Sequence, residues 1–200
     1  MNDTFISKAA DWDSPDKINM TKKFADELIR SINLSPSWKA LEIGTGTGLA
    51  GLQIEPFVHK VVLEDTSASM LEVLKQKLNE NSKVEILNGE VTDYTSQDID
   101  LVFSNMAFHH INDIENTVKH LASITKANGW VVIGDLVTED GSFHRFEPIP
   151  HRGFETTILS GQFVQAGFDV KSIRIFNVIS RTVDAVTTLY EQFMLIAQRK

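Results

Sequence analysis

The chain has no cysteine, which excludes disulfides and thiolate metal sites. Long hydrophobic runs are also missing. The longest apolar stretches, such as Trp130-Val131-Val132-Ile133, fall far short of the ~20 residues that span a bilayer. The N-terminus has no basic region followed by an apolar one, so no secretory signal is expected. A cytoplasmic setting without a membrane partner is therefore the default expectation. Positive charge is scarce and scattered: the formal net charge is -8 and lysines and arginines form no run, which argues against a nucleic-acid partner. Internal repeats, low-complexity segments and a nucleophile-elbow signature are absent as well, and nothing supports Ser-His-Asp catalysis.

What is present is an ordinary globular composition, 42% hydrophobic and 23% charged over 200 residues, enough for one domain with a substantial core. The stretch that organises it is Ala40-Leu41-Glu42-Ile43-Gly44-Thr45-Gly46-Thr47-Gly48-Leu49. It reads as a buried strand, a glycine turn and the opening of a helix. Glycines at alternate positions let backbone N–H groups approach a ligand closely.

Two cofactor classes use such a turn. A literal G-x-G-x-x-G falls on Gly46, Gly48 and Gly51, with Asp65 nineteen positions after Gly46. In a dinucleotide site, however, the first glycine follows the strand directly; here that is Gly44, and the third glycine would fall on Leu49. Glu42 points the same way, since a carboxylate at the strand's end suits a cation better than a diphosphate. Leu41-Glu42-Ile43-Gly44-Thr45-Gly46-Thr47-Gly48 resembles motif I of the class I S-adenosylmethionine-dependent methyltransferases.

The resemblance implies an α/β, Rossmann-like class I methyltransferase fold: a seven-stranded, mostly parallel sheet with helices on both faces and an antiparallel C-terminal strand pair. The pattern along the chain agrees. One amphipathic helix precedes residue 38, with Asp13-Ser14-Pro15-Asp16 as its start. Strands are expected over 58–64, 84–87, 100–104 and 130–136. Ser67 is expected to cap the second major helix, Asn112-Asp113-Ile114-Glu115 to open the next, and Asn128-Gly129 to end it. A polar loop over 138–152, a helix over 155–166 and strands over 169–178 and 189–198 complete the chain. Residues 1–200 are read as a single domain, with 1–37 a helical lid on a 38–200 core.

By resemblance, Glu42, Gly44, Thr45 and Gly46 hold the cofactor's amino-acid end. In Val61-Val62-Leu63-Glu64-Asp65-Thr66-Ser67 the resemblance to motif II makes Asp65 the acid that accepts the ribose hydroxyls and sets Thr66 beside the adenine; Glu64 is the weaker candidate, and Asp65 as a mere helix cap is the plain alternative. Glu90 and Val91, in Asn88-Gly89-Glu90-Val91-Thr92-Asp93, would hold the adenine edge. Asn105-Met106-Ala107-Phe108-His109-His110-Ile111 resembles the segment that lines the methyl in small-molecule methyltransferases of the ubiquinone-biosynthesis type, with Asn105 and Met106 near the methionine half.

His109 and His110 are the candidates for a catalytic base, and Trp12, Asp135, His144 and His151 for contacts with the acceptor. No metal site is expected, because the spacing of His144, Glu147 and His151 fits no helical ligand pair. The resulting expectation is an S-adenosyl-L-methionine-dependent methyltransferase acting on a small-molecule acceptor by in-line displacement. An NAD(P)-dependent oxidoreductase and a non-catalytic S-adenosylmethionine-binding protein are the alternatives.

Overall fold

The computed structural model describes residues 3, 6–145, 148–183 and 185–200; Glu147 lies outside them. Seven strands form one sheet: β1 (Lys39–Ile43), β2 (Lys60–Asp65), β3 (Val84–Asn88), β4 (Ile99–Asn105), β5 (Thr125–Leu136), β6 (Phe168–Val183) and β7 (Val186–Arg199). Their spatial order is β3-β2-β1-β4-β5-β7-β6. The first five pair in parallel, whereas β7 runs antiparallel to both β5 and β6. The expected closing pair is therefore present, and each of its strands is longer than expected.

Helices α1 (Pro15–Ser31), α2 (Gly51–Ile54), α3 (Ala68–Lys77), α4 (Ile114–Ile124) and α5 (Thr156–Gln165) connect and cover the sheet. The strand pleat sorts side chains onto two cores. Leu41, Ile43, Val102, Ile133 and Phe193 face α4 and α5, in one cluster with Val118 and Phe163. Ala40, Val61, Leu63, Phe103 and Val132 face the other helices, in one cluster with Phe24, Leu28 and Leu74. Because β1 is covered on both sides, its residues from Ala40 to Ile43 are all buried and, but for one, apolar. Glu42 is the exception, and it lies at the strand's carboxyl end.

Local signals explain the helix starts. Ser14 caps α1 ahead of Pro15, and the Ser67 hydroxyl accepts the Met70 N–H at the start of α3. Helix α4 begins one residue later than expected, capped by Asp113. It also ends earlier, at Ile124, because Thr125 pairs with Ile99 and starts β5; Asn128, at φ 64°, turns within that strand. Among the described residues no helix is long and apolar enough to cross a membrane.

The strand order reverses between β1 and β4, and this opens a crevice at their carboxyl ends where ligands bind in such sheets. The two loops leaving those strands meet there: a Cβ on Gly44 would lie 2.3 Å from that of Ala107.

Candidate active site

The glycine turn after β1 is stitched to the end of β2 by acids. Gly44 (φ 66°) and Gly46 (φ 55°) take left-handed backbone that side chains disfavour, and this aims their N–H groups at two neighbouring carboxylates. The Gly44 N–H donates to Glu64 Oε2 at 3.2 Å, and the Gly46 N–H to Asp65 Oδ2 at 2.7 Å. Asp65 Oδ1 accepts the Ser67 N–H at 2.8 Å. Asp65 thus braces both the turn and the start of α3, and Glu64, the weaker sequence candidate, holds the first glycine.

Glu42 lies beneath the turn, 3% exposed, where it accepts the Thr45 hydroxyl at 2.5 Å and the Gly51 N–H. Burial, opposed by these hydrogen bonds and reinforced by the charge of Asp65, pushes its pKa up to about 8. Glu64 is likewise pushed up to about 8 by burial and by Asp65. Burial also raises Asp65, against the N–H groups that favour its charged form. The charges that chiefly perturb the three are all carboxylates: Asp65 on Glu42; Asp65, Glu42 and Glu90 on Glu64; Asp3 on Asp65.

The remaining cofactor candidates follow the carboxyl edge. Thr66 is exposed beside Asp65. The Gly89 N–H and Asn88 side-chain amide both donate to the Asp65 carbonyl, drawing the β3 loop toward β2. In that loop Glu90 is exposed and Val91 buried at the head of a 3₁₀ turn. After β4, Met106 adopts a left-handed φ of 56° while its N–H continues the ladder to the Gly134 carbonyl at 2.8 Å. Asn105 Oδ1 accepts from Gln192 at 2.9 Å, Gln192 accepts from Asn177, and Asn177 accepts from Lys23 on α1. Sequence reasoning missed this buried relay, because its members lie on four distant segments.

The Trp12 indole lies over Gly46, 3.5 Å from where a Cβ would stand, with Lys17 stacked on it at 3.2 Å. It covers the glycine turn. Asp13 secures this segment: it accepts the Thr47 hydroxyl at 2.5 Å and pairs with Lys77 at 2.6 Å, while Lys77 also donates to the Thr47 carbonyl. This clasp was not expected from the sequence.

Asp135 is completely buried, with its carboxylate engaged by His109. Its Oδ1 lies 2.7 Å from His109 Nδ1, and its Oδ2 accepts the His109 N–H at 3.1 Å. His109 is 1% exposed, and its Nε2 lies 3.2 Å from His144 Nε2. His110 stacks on His109 with ring centroids 4.2 Å apart. Its outer edge is exposed, but loss of water around the ring and the neighbouring imidazoles hold its pKa below the ordinary value. His151 packs its ring on Phe154 and donates its N–H to the His109 carbonyl. Hence the structure joins His109, His110 and His144 and sets His151 behind them.

A glycine turn lined with acids at the switch point of a sheet with an antiparallel seventh strand is the class I methyltransferase architecture. Residues 41–133 match the family model described as a methyltransferase domain. Over those residues the chain is similar to the methyltransferase-domain family, and its fold is the Rossmann-like fold of class I methyltransferases. It is 30% identical over 133 residues to malonyl-(acyl-carrier protein) O-methyltransferase 1 of Ilyobacter polytropus, covering 64% of this chain and 49% of that one. It is 24% identical over 150 residues to the uncharacterized methyltransferase YcgJ of Bacillus subtilis, covering 72% and 59%. The crystal structure of YcgJ superposes with a TM-score of 0.75 over 88% of this chain and 97% of that one, at 14% identity. A methyltransferase from Aquifex aeolicus superposes at 0.72 over 98% of both chains, with 19% identity. The chain spans about half the length of the curated relatives it matches.

Proposed function

We propose that the protein transfers a methyl group from S-adenosylmethionine to a small-molecule acceptor held at the carboxyl edge between β1 and β4. One observation carries this reading: the N–H groups of Gly44 and Gly46 are already taken by Glu64 and Asp65. A diphosphate over that turn would sit against two carboxylates, with Glu42 beneath. A ligand bearing an ammonium and a sulfonium is attracted by the same three groups. The left-handed glycines and the acidic lining therefore fit this cofactor and oppose a dinucleotide.

When bound, S-adenosylmethionine supplies a methyl group activated on a sulfonium. Glu42 lies under the amino-acid end, where the cofactor's ammonium would favour its ionised form, and Asp65 offers its remaining lone pairs to ribose hydroxyls. Thr66, Glu90 and Val91 frame the adenine, while Asn105 and Met106 flank the methionine half. Trp12 and the Asp13 clasp close over Gly46 and exclude water. Aligning and desolvating two reactants in this way accounts for ~7–11 kcal/mol of barrier lowering. His109, His110 and His144 line the acceptor end, and a base there matters only for an acceptor that must lose a proton.

Calorimetry tests the reading. S-adenosylmethionine and its demethylated product should bind at one per chain, and NADH should not. Binding of NADH alone would overturn it in favour of an oxidoreductase. Tight binding without turnover over hydroxyl, amine, carboxylate and carrier-bound acceptors would leave a binding module.

A further inference from the structure

The imidazoles at the acceptor end have the makings of a second site. His109, His110 and His144 each present a ring nitrogen, and these atoms all lie within 4.8 Å of one another. The His109 and His144 Nε2 atoms are 3.2 Å apart. Two zinc–nitrogen bonds of about 2.0–2.1 Å meeting at a tetrahedral angle separate their nitrogens by about 3.3 Å, so this pair already stands at ligand spacing.

Asp135 supplies the next element. Its Oδ1, 2.7 Å from His109 Nδ1, accepts the hydrogen bond of an Nδ1–H tautomer, which leaves the Nε2 lone pair directed toward His144. A buried carboxylate behind an imidazole is the arrangement that fixes tautomer and ring orientation in metal sites. His144 is also held in place. It ends a 3₁₀ turn, Ser142–His144, flanked by left-handed Gly141 and Arg145. The β6–β7 hairpin pins that turn: Tyr190 Oη lies 2.7 Å from the Ser142 hydroxyl, and Arg181 donates to the Phe143 carbonyl. The third ring, His110, lies at the surface with a ring nitrogen within 4.8 Å of those of the other two.

We infer that His109, His110 and His144 form a three-histidine site for a divalent transition-metal cation of the zinc class, with Asp135 as positioning residue and the open coordination position directed to an oxygen of the acceptor. An all-imidazole set selects zinc, cobalt, nickel or copper over magnesium and calcium, which take oxygen ligands. The ligand set differs from the His144, Glu147 and His151 trio considered from sequence alone. Metal binding stands on these side chains by themselves; only the acceptor's place at the metal rests on the proposed function.

The test uses the full chain without a histidine tag, stripped by chelator and titrated with Co²⁺ while visible absorption is read, then with Zn²⁺ in competition. One equivalent should bind, with cobalt bands that zinc abolishes. His144→Ala and the surface variant His110→Gln should each weaken binding by about ten-fold or more, and Asp135→Asn by about 10–100-fold with shifted cobalt bands. No stoichiometric binding at micromolar metal, or an affinity indifferent to both histidine substitutions, would overturn the inference. Calorimetry with demethylated cofactor on the same samples separates the two readings. Cofactor binding without metal sinks this site alone, and metal without cofactor binding sinks the methyltransferase reading alone.

Discussion

Asp65 and Gly46 are joined across the crevice by a 2.7 Å hydrogen bond from a left-handed glycine N–H to a carboxylate oxygen. The same carboxylate braces Ser67, so the turn after β1 and the start of α3 share one support. Asp65→Ala should remove that support together with the proposed ribose acceptor. Hydrogen bonds to a charged group contribute about 1.5–3 kcal/mol, which corresponds to a loss of cofactor affinity of about 10–150-fold. Calorimetry with the demethylated cofactor checks it, with circular dichroism confirming the fold. Unchanged affinity would remove Asp65 from the site.

Stability should depend on pH through Glu42 and Glu64, both lifted from 4.5 to about 8. Below pH ~4.5 the folded and unfolded chains both hold these protons, and the full contribution to stability is present. As pH rises toward 8 the unfolded chain releases them while the folded chain keeps them. Stability is therefore lost through that window, at up to about 1.4 kcal/mol per pH unit for each group. Glu27, lowered by its hydrogen bond from Arg174, works below this window. Urea unfolding at pH 5, 6, 7 and 8 should give a falling midpoint, and Glu42→Gln should flatten the slope. Cofactor binding should reverse part of the loss near pH 8, where the ionised acids meet its positive charges.

Gly44→Ala tests whether the two loops must touch. The new methyl would stand 2.3 Å from the Ala107 Cβ, at a φ of 66°. Left-handed backbone costs a side-chain residue about 1–2 kcal/mol, and overpacking adds about 1–3 kcal/mol. A loss of about 2–5 kcal/mol in denaturant unfolding is expected. Adding Ala107→Gly should restore the packing share and leave the backbone share. Equal stability of single and double variants would mean that the contact does not exist.

Legibility followed range. The β1 strand, its glycine turn and the Ser14 and Ser67 caps are encoded within a few residues, and the sequence marks them clearly. The end of α4 is not, since Thr125 leaves the helix to pair with Ile99 in a neighbouring strand. The outer halves of β6 and β7 pair Arg181 with Thr188 and Thr182 with Thr187, and their exposed polar residues conceal a strand that pairing creates. The histidine cluster lay beyond sequence reasoning for the same reason. His109 and His144 are separated by helix α4, strand β5 and a loop, and Asp135, which aims one at the other, reads alone as a polar residue at a strand's end. The place of Trp12 over Gly46 depends on Asp13 meeting Thr47 and Lys77, contacts that no local pattern announces.

That clasp makes the final prediction kinetic. Asp13 accepts from the buried Thr47 hydroxyl and pairs with the part-exposed Lys77, and that ion pair adds at most about 1 kcal/mol to global stability. Its effect should instead fall on how long the segment bearing Trp12 stays over Gly46. Asp13→Ala, which also takes the acceptor from the buried Thr47 hydroxyl, should cost about 1–3 kcal/mol in unfolding and raise the cofactor's dissociation rate several-fold, because opening of a covering segment gates release. Stopped-flow tryptophan fluorescence reads this, with Trp12→Phe identifying which indole reports. Lys77→Ala should act in the same direction, and combining it with Asp13→Ala should add less than the sum, since both break one linkage. Equal dissociation rates in all three proteins, with Trp12 silent on binding, would show that the segment does not cover the cofactor.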